Sequence, residues 1–242
     1  PQKGGILGAG MMGSGIAYAQ ASRGIATVLK DVSVEAAEKG KAYSHKLTQK
    51  RVDKGRMAAD KQAALLSLIQ PTASAADLKG CDLIIEAVFE NRELKARVTQ
   101  EAEPMLAEGG FFASNTSTLP ISGLATASRA PAKFVGIHFF SPVDKMKLVE
   151  IIRGKATSDE VTAITKDLTA KLGKTGAVAN DFPGFVSNRV LMPMINEAIE
   201  CLREAIHFTK GRYEDKIAEG TKLRHDHGSQ FISHAFQDEL KT

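Results

Sequence analysis

Glycines at positions 8, 10 and 13 constrain this chain more than any other feature. They lie in GAGMMGSG, directly after the short apolar run 3–7 and directly before the helical pattern of Ile16 to Ala21. Strand, tight turn and helix in that order open a doubly wound α/β unit. Gly8 permits the turn, Gly10 lets a pyrophosphate approach the backbone, and Gly13 lets helix and strand pack closely, with the phosphates at the helix N-terminus. Met11 and Met12 belong to the same phosphate-facing turn. A second apolar run, IATVL at 25–29, is closed by Asp31. An acid there takes the adenine ribose hydroxyls and repels a 2′-phosphate, which favours NAD over NADP. A glycine-rich turn and a helix-capping Asp before Ser33 would be the bland alternative. The full succession of strand, turn, helix, strand and acid argues against it.

At 242 residues, with 43% hydrophobic and 25% charged residues, the chain can bury one α/β core plus a smaller appendage. Its formal charge of +4 comes from basic residues interleaved with acids, and only 6% of the residues are aromatic. That pattern suits anionic small molecules better than nucleic acid. Cys81 and Cys201 form no framework and read as two reduced thiols. No apolar run approaches the length of a membrane span and no signal-peptide pattern is present. The chain begins at Pro1 almost directly in a strand, as expected of a piece of a longer polypeptide.

Residues 34–69 predict a helical hairpin broken at Gly55. Its many lysines and arginines fit either a solvated face or a phosphate site. CDLIIEAVF at 81–89 is a nearly continuous apolar run, as expected of a parallel strand covered on both faces, and it ends at Glu90 and Asn91. A helix is predicted from about Arg92 to Leu106, with Lys95 in its first turn and Gly109 and Gly110 stopping it. The strand 111–114 then opens into Asn115, Thr116, Ser117 and Thr118. Glu90 and the 115–118 cluster fall at carboxyl ends of strands, where doubly wound sheets bind ligands. Ser117 or Thr118 could equally cap the short helix that Pro120 begins. Farther on come a helix over 158–172, an extended segment over 175–180, and a long apolar-faced helix to about Ile206 with a kink expected at Pro193. Pro183 and Gly184 mark a boundary between domains 1–182 and 183–242. His225, Asp226, His227 and His234 lack the framework of a metal site, so no metal is expected.

The stretch FVGIHFFSPVDKMKLVEIIR, residues 134–153, holds two strand-like apolar runs around a Ser-Pro-Val-Asp turn. His138 interrupts the first run and Glu150 the second, where propensity would place Val or Ile. If the strands are neighbours, the carboxylate can hold one ring nitrogen while the other faces a pocket, which makes a general base. From these residues alone, a structural ion pair at a strand end fits as well.

The motifs GAGMMGSGIA, DLIIEAVFENRELK, SNTSTLPI, HFFSPVDKMKLVEII and DFPGFVSNR stand in this order over about residues 4–206. Together they resemble the L-3-hydroxyacyl-CoA dehydrogenases of fatty-acid β-oxidation, and most closely the dehydrogenase portion of the multifunctional α-subunit. The resemblance implies a Rossmann-like, mostly parallel sheet with a helical hairpin insertion, NAD as cofactor, and oxidation of an L-3-hydroxyacyl-CoA to the 3-ketoacyl-CoA. It makes His138 the catalytic base and Glu150 its orienting partner, with Ser117 on cofactor and substrate oxygen and Asn188 positioning imidazole or substrate. Gly8, Gly10, Met11, Met12, Gly13, Asp31, Glu90, Lys95, Ser117 and Ser141 would line the NAD site, and Ser44, Arg51 and Ser117 would meet coenzyme A. It also implies a location in the bacterial cytoplasm or mitochondrial matrix, as a homo-oligomer or part of a β-oxidation complex where the parent protein has a complete C-terminal domain.

Two departures stand out. Many relatives have Asn where this chain has Ser141, although multifunctional members often share the serine. The tail from His207 lacks the helices with a Pro-x-Gly-Pro motif that complete the acyl pocket, so the C-terminal helical domain reads as short and truncated. Two rivals follow. One is a β-hydroxyacid dehydrogenase acting on free acids, which would carry a Lys base on the long helix where this chain has Asn188 and Arg189. The other is a non-catalytic NAD-binding module.

Overall fold

The structure, a computed structural model, describes residues 1–210, with side chains to residue 201. His225, Asp226, His227 and His234 lie outside the described residues. β1 (Lys3–Leu7), the glycine turn, α1 (Met11–Ala21) and β2 (Ala26–Lys30) open the chain. The hairpin α2 (Val34–Asp53) and α3 (Ala59–Ser67) leads to β3 (Ile69–Thr72). Then follow β4 (Cys81–Glu86), α4 (Arg92–Ala102), β5 (Leu106–Ser114), the short α5 (Ile121–Leu124), β6 (Phe134–Phe139), β7 (Leu148–Arg153), α6 (Asp159–Lys171) and β8 (Thr175–Asn180). These belong to a first compact unit, Pro1–Val186. α7 (Ser187–Lys210) belongs to a second unit and runs through Pro193 as one helix.

The eight strands form one sheet in the order β3-β2-β1-β4-β5-β6-β7-β8. β1 to β6 run parallel; β7 is antiparallel to β6, and β8 is parallel to β7. The expected doubly wound, mostly parallel sheet is therefore present, with its strand order reversing between β1 and β4. Both faces are covered. Leu83 and Ile85 pack with Ile6, Ile16 and Val135 on one side, while Ile84 packs with Val28, Phe112 and Phe134 on the other. This two-sided burial is why β4 reads as a continuous apolar run. Three helices, α2, α4 and α6, begin at a capping side chain: Ser33, Asn91 and Ser158 each accept a backbone N–H in the first turn that follows.

One boundary differs from expectation. α4 stops at Ala102, a single 3-10 turn covers Glu103–Met105, and β5 starts at Leu106, so Gly109 and Gly110 lie inside the strand. Pro104 accounts for the early stop, because it lacks an N–H and its ring clashes with the carbonyl four residues back. Gly109 takes a φ of 79°, and the pairing of β4 with β5 shifts register between Cys81 and Leu83. The glycines thus bend a strand instead of ending a helix.

A Cβ on Gly13 would lie 1.7 Å from the carbonyl oxygen of Gly8, whereas one on Gly10 would meet nothing within 4 Å. Gly13→Ala is expected to cost about 3 kcal/mol or more, a fall in Tm of roughly 6–12 °C for a chain of this size. Gly10→Ala is expected to stay within ~0.5 kcal/mol of the parent. Thermal unfolding followed by circular dichroism checks both, and equal Tm values for the two variants would contradict the packing account.

Candidate active site

Antiparallel pairing of β6 with β7 sets His138 directly opposite Glu150. The imidazole Nδ1 lies 2.8 Å from Glu150 Oε2, and both residues are buried. The other carboxylate oxygen accepts the backbone N–H of Val186 at 3.1 Å. That N–H is delivered by Phe185, a non-glycine residue with a φ of 53°, a strained conformation that persists only where the surroundings enforce it. The Phe185 ring sits 5.8 Å from the imidazole and the Phe140 ring 4.5 Å, so two aromatics flank it. With Nδ1 committed to the carboxylate, Nε2 is the nitrogen left for chemistry.

The β6–β7 turn is held from three sides. Ser141 Oγ lies 3.5 Å from Met11 Sδ, which sets the turn beside the glycine loop. Tyr43 of α2 donates to Asp144 at 2.7 Å. Lys174 donates to the carbonyls of Val143 and Met146 at 2.6 and 2.7 Å. Asn115 Oδ1 accepts the N–H of Phe139, pinning the end of β6 next to His138.

The glycine turn has the features a pyrophosphate needs. Gly8 takes a φ of 91°, and Gly10 caps α1 with no side-chain hydrogen bond and no acidic residue in the first turn. The exposed N–H groups at that helix end therefore suit an anion. Asp31 accepts the N–H of Ala9 and of Val32, both at 2.6 Å, so it braces the same loop while standing at the carboxyl end of β2.

Glu90 organises the loop after β5. Its Oε1 accepts the Thr116 hydroxyl at 2.5 Å and the N–H groups of Ser117 and Thr118 at 2.9 and 3.1 Å. Burial pushes this carboxyl upward, but Lys95, the Thr116 hydroxyl and the Ser117 amide together hold it below the ordinary carboxylate value. Lys95 is 1% exposed, with its ammonium between Glu86 at 2.7 Å and Glu90 at 3.2 Å. Expected to line the cofactor site, Lys95 is buried, with Glu90 as the more exposed of its two carboxylate partners.

The structure places the remaining expected residues as follows. Ser44 is fully buried, whereas Arg51 stands on the open side of the hairpin, 3.4 Å from Tyr18 Oη. A ligand on that surface meets Arg51 and not Ser44. Asn188 lies in the first turn of α7, in the second unit. Among the described residues, no cluster of three or more His, Cys, Asp or Glu is placed to hold a metal, and no helix is long and apolar enough to cross a membrane. Glu86 and Phe185 are the residues of this edge that sequence reasoning missed, whereas Asn115 belongs to the 115–118 cluster it singled out. For Glu86 a signal existed: it interrupts an apolar strand just as His138 and Glu150 do.

This geometry is that of a doubly wound dinucleotide-binding unit with a buried His–Glu pair carried on its sheet. Known proteins narrow the class. Residues 3–182 match the 3-hydroxyacyl-CoA dehydrogenase NAD binding domain. A protein of Deinococcus radiodurans named "Probable 3-hydroxybutyryl-CoA dehydrogenase" is 45% identical over 84% of this chain and 72% of its own length. The crystal structure of (S)-3-hydroxybutyryl-CoA dehydrogenase from Ralstonia eutropha superposes with a TM-score of 0.81 at 40% identity, covering 85% of this chain and 72% of that one. The fatty acid oxidation complex subunit alpha of Psychrobacter arcticus is 40% identical over 98% of this chain, which spans only 34% of that subunit. The chain belongs to the 3-hydroxyacyl-CoA dehydrogenase family, and its first unit contains the family's NAD binding domain.

Because the Glu90 carboxyl is more acidic in the folded protein than its ordinary value of 4.5, the unfolded chain binds the extra proton first. Its stabilising contribution is fully present above about pH 4.5 and is lost as the pH falls through the depressed folded value. Glu90→Gln is therefore expected to be less stable than the parent near pH 7, with the gap narrowing toward about pH 3. Urea unfolding at the two pH values checks this, and an unchanged gap would contradict the assignment.

Proposed function

We propose that this chain catalyses the NAD-dependent oxidation of an L-3-hydroxyacyl-CoA to the 3-ketoacyl-CoA, and that it serves fatty-acid β-oxidation. The observation that carries the reading is the buried His138–Glu150 pair, set beside the glycine turn by the Ser141–Met11 contact. The hydroxyl proton of the substrate passes to Nε2 of His138 as the C3–O double bond forms and a hydride departs from C3. NAD, when bound, supplies the hydride acceptor. Glu150 stabilises the imidazolium by holding Nδ1–H, and its second oxygen stays tied to the Val186 amide, so the pair does not reorganise during proton transfer. Ser117, on the loop fixed by Glu90, holds the substrate oxygen near the base. Much of the rate then comes from positioning.

The hairpin supports the coenzyme A part of this reading. Arg51, Arg56 and Lys61 line a cleft of about 440 Å³ with Gly55, Met57 and Ala58, offering three cations to phosphate groups. Relatives that are fatty acid oxidation complex α-subunits support a place among other β-oxidation activities.

His138→Gln is expected to fold and bind NADH normally while losing about 10²–10⁴ in turnover of acetoacetyl-CoA, followed as NADH oxidation at the nicotinamide absorbance. Unchanged turnover would sink the assignment of the base. NADH binding by the parent chain with no turnover would favour the non-catalytic module. Arg51→Ala is expected to raise KM for acetoacetyl-CoA about tenfold, the loss of roughly one charge-assisted hydrogen bond, with NADH affinity unchanged. An unaltered KM would remove Arg51 from the substrate site.

A further inference from the structure

The end of β4 holds two buried ions, Glu86 and Lys95, to which the reaction as described gives no role. Glu86, the last residue of that strand, is 1% exposed. Its Oε1 accepts Lys95 Nζ at 2.7 Å and the Val88 N–H at 2.9 Å, and its Oε2 accepts the Ser114 hydroxyl at 2.7 Å. Lys95 in turn meets Glu90 Oε2 at 3.2 Å and the Val88 carbonyl at 3.4 Å. The other oxygen of Glu90 holds the loop of Thr116, Ser117 and Thr118.

A plain structural ion pair needs only Glu86 and Lys95. Here one ammonium is shared between two carboxylates of unlike freedom. Glu86 is fixed by β5 on one side and by the backbone after β4 on the other, while the Glu90 side chain is 32% exposed and borders the Ser117 loop. A shared cation rests where its two attractions balance. If the fixed carboxylate loses its charge, the ammonium is drawn wholly toward Glu90 and competes with the loop donors for it.

We propose that Glu86 is a positioning residue: through Lys95 it sets the place of the Glu90 carboxylate, and thereby of the loop that presents Ser117 to cofactor and substrate. This rests on the reaction proposed above. Burial of Glu86 and Lys95 is tolerable because every contact is charge-assisted, and the same burial makes the arrangement rigid.

The test is a double-mutant cycle in the full chain, with Glu86→Gln, Glu90→Gln and the pair, reading kcat and KM for acetoacetyl-CoA, NADH Kd by fluorescence, and Tm. Glu86→Gln is expected to lower kcat about tenfold with KM changed less than about twofold, and the double variant to be no worse than the weaker single, because both act on one loop. Effects on kcat that multiply independently, or a lower Tm with kcat unchanged, would overturn the proposal. Ser114→Ala keeps the charge and removes one hydrogen bond from Glu86; it is expected to lower kcat about two- to threefold. If Glu86→Gln does not fold, an unaltered kcat in Ser114→Ala overturns the proposal. If the parent chain shows no turnover, the reaction reading fails. The NADH Kd values of the same set then decide: non-additive weakening supports the positioning role, and additive or absent weakening overturns it.

Discussion

A charge buried at the end of a strand must be matched on the spot, and that demand shapes the carboxyl edge of this sheet. Glu86 and Glu150 are each 1% exposed, and an unpaired carboxylate in such a place costs several kcal/mol. Each is met by one titratable side chain and one backbone amide: Lys95 and Val88 for Glu86, His138 and Val186 for Glu150. For Glu150 the amide is reached only because Phe185 accepts a left-handed backbone. The segment leading out of the first unit is therefore fixed by the dyad's need for a second donor, and the same residue lays its ring beside the imidazole.

The hairpin is joined to this edge by a second set of contacts. Tyr43 on α2 and Lys174 just before β8 converge on the turn between β6 and β7, one through the Asp144 carboxylate and one through two backbone carbonyls. Burial lowers the Lys174 pKa and Asp144 opposes that shift, so this cation belongs to the frame of the turn and not to bulk solvent. The surface that carries Arg51 and the strand that carries His138 thus share one braced turn. The distance between the Arg51 surface and His138 is thereby set by packing and not by loop sampling.

Much of this was legible in the chain itself. The glycine spacing, the closing Asp31 and the two interrupted apolar runs each express a local rule, so the fold class and the His138–Glu150 pair could be read from residue order. Three things could not. Glu86 was visible only as a polar interruption of an apolar strand; what it holds is revealed by its contacts with Lys95 and Ser114. The inward placement of Ser44 depends on how α2 rotates against the sheet, which a long polar helix with few apolar markers leaves open. The boundary at Ala102 was misjudged because two glycines after a helix resemble a stop, whereas the register shift that makes them a strand bend exists only once β4 and β5 pair.

The orientation of the base follows from the same pattern that builds the core. In β6 and β7, Val135, Ile137, Phe139, Val149 and Ile151 enter one apolar layer, while Phe134 and Ile152 enter the other. His138 and Glu150 share the alternation of Phe134 and Ile152, so they emerge on that second side, where Phe185 closes over them. Slipping either strand by one residue would drive an ionisable side chain into the first layer and turn its apolar ones out, three in β6 and two in β7. The register that places His138 opposite Glu150 is thus the one that also buries Val135, Ile137 and Phe139. Selection for a stable sheet and selection for a correctly aimed imidazole act here on a single constraint.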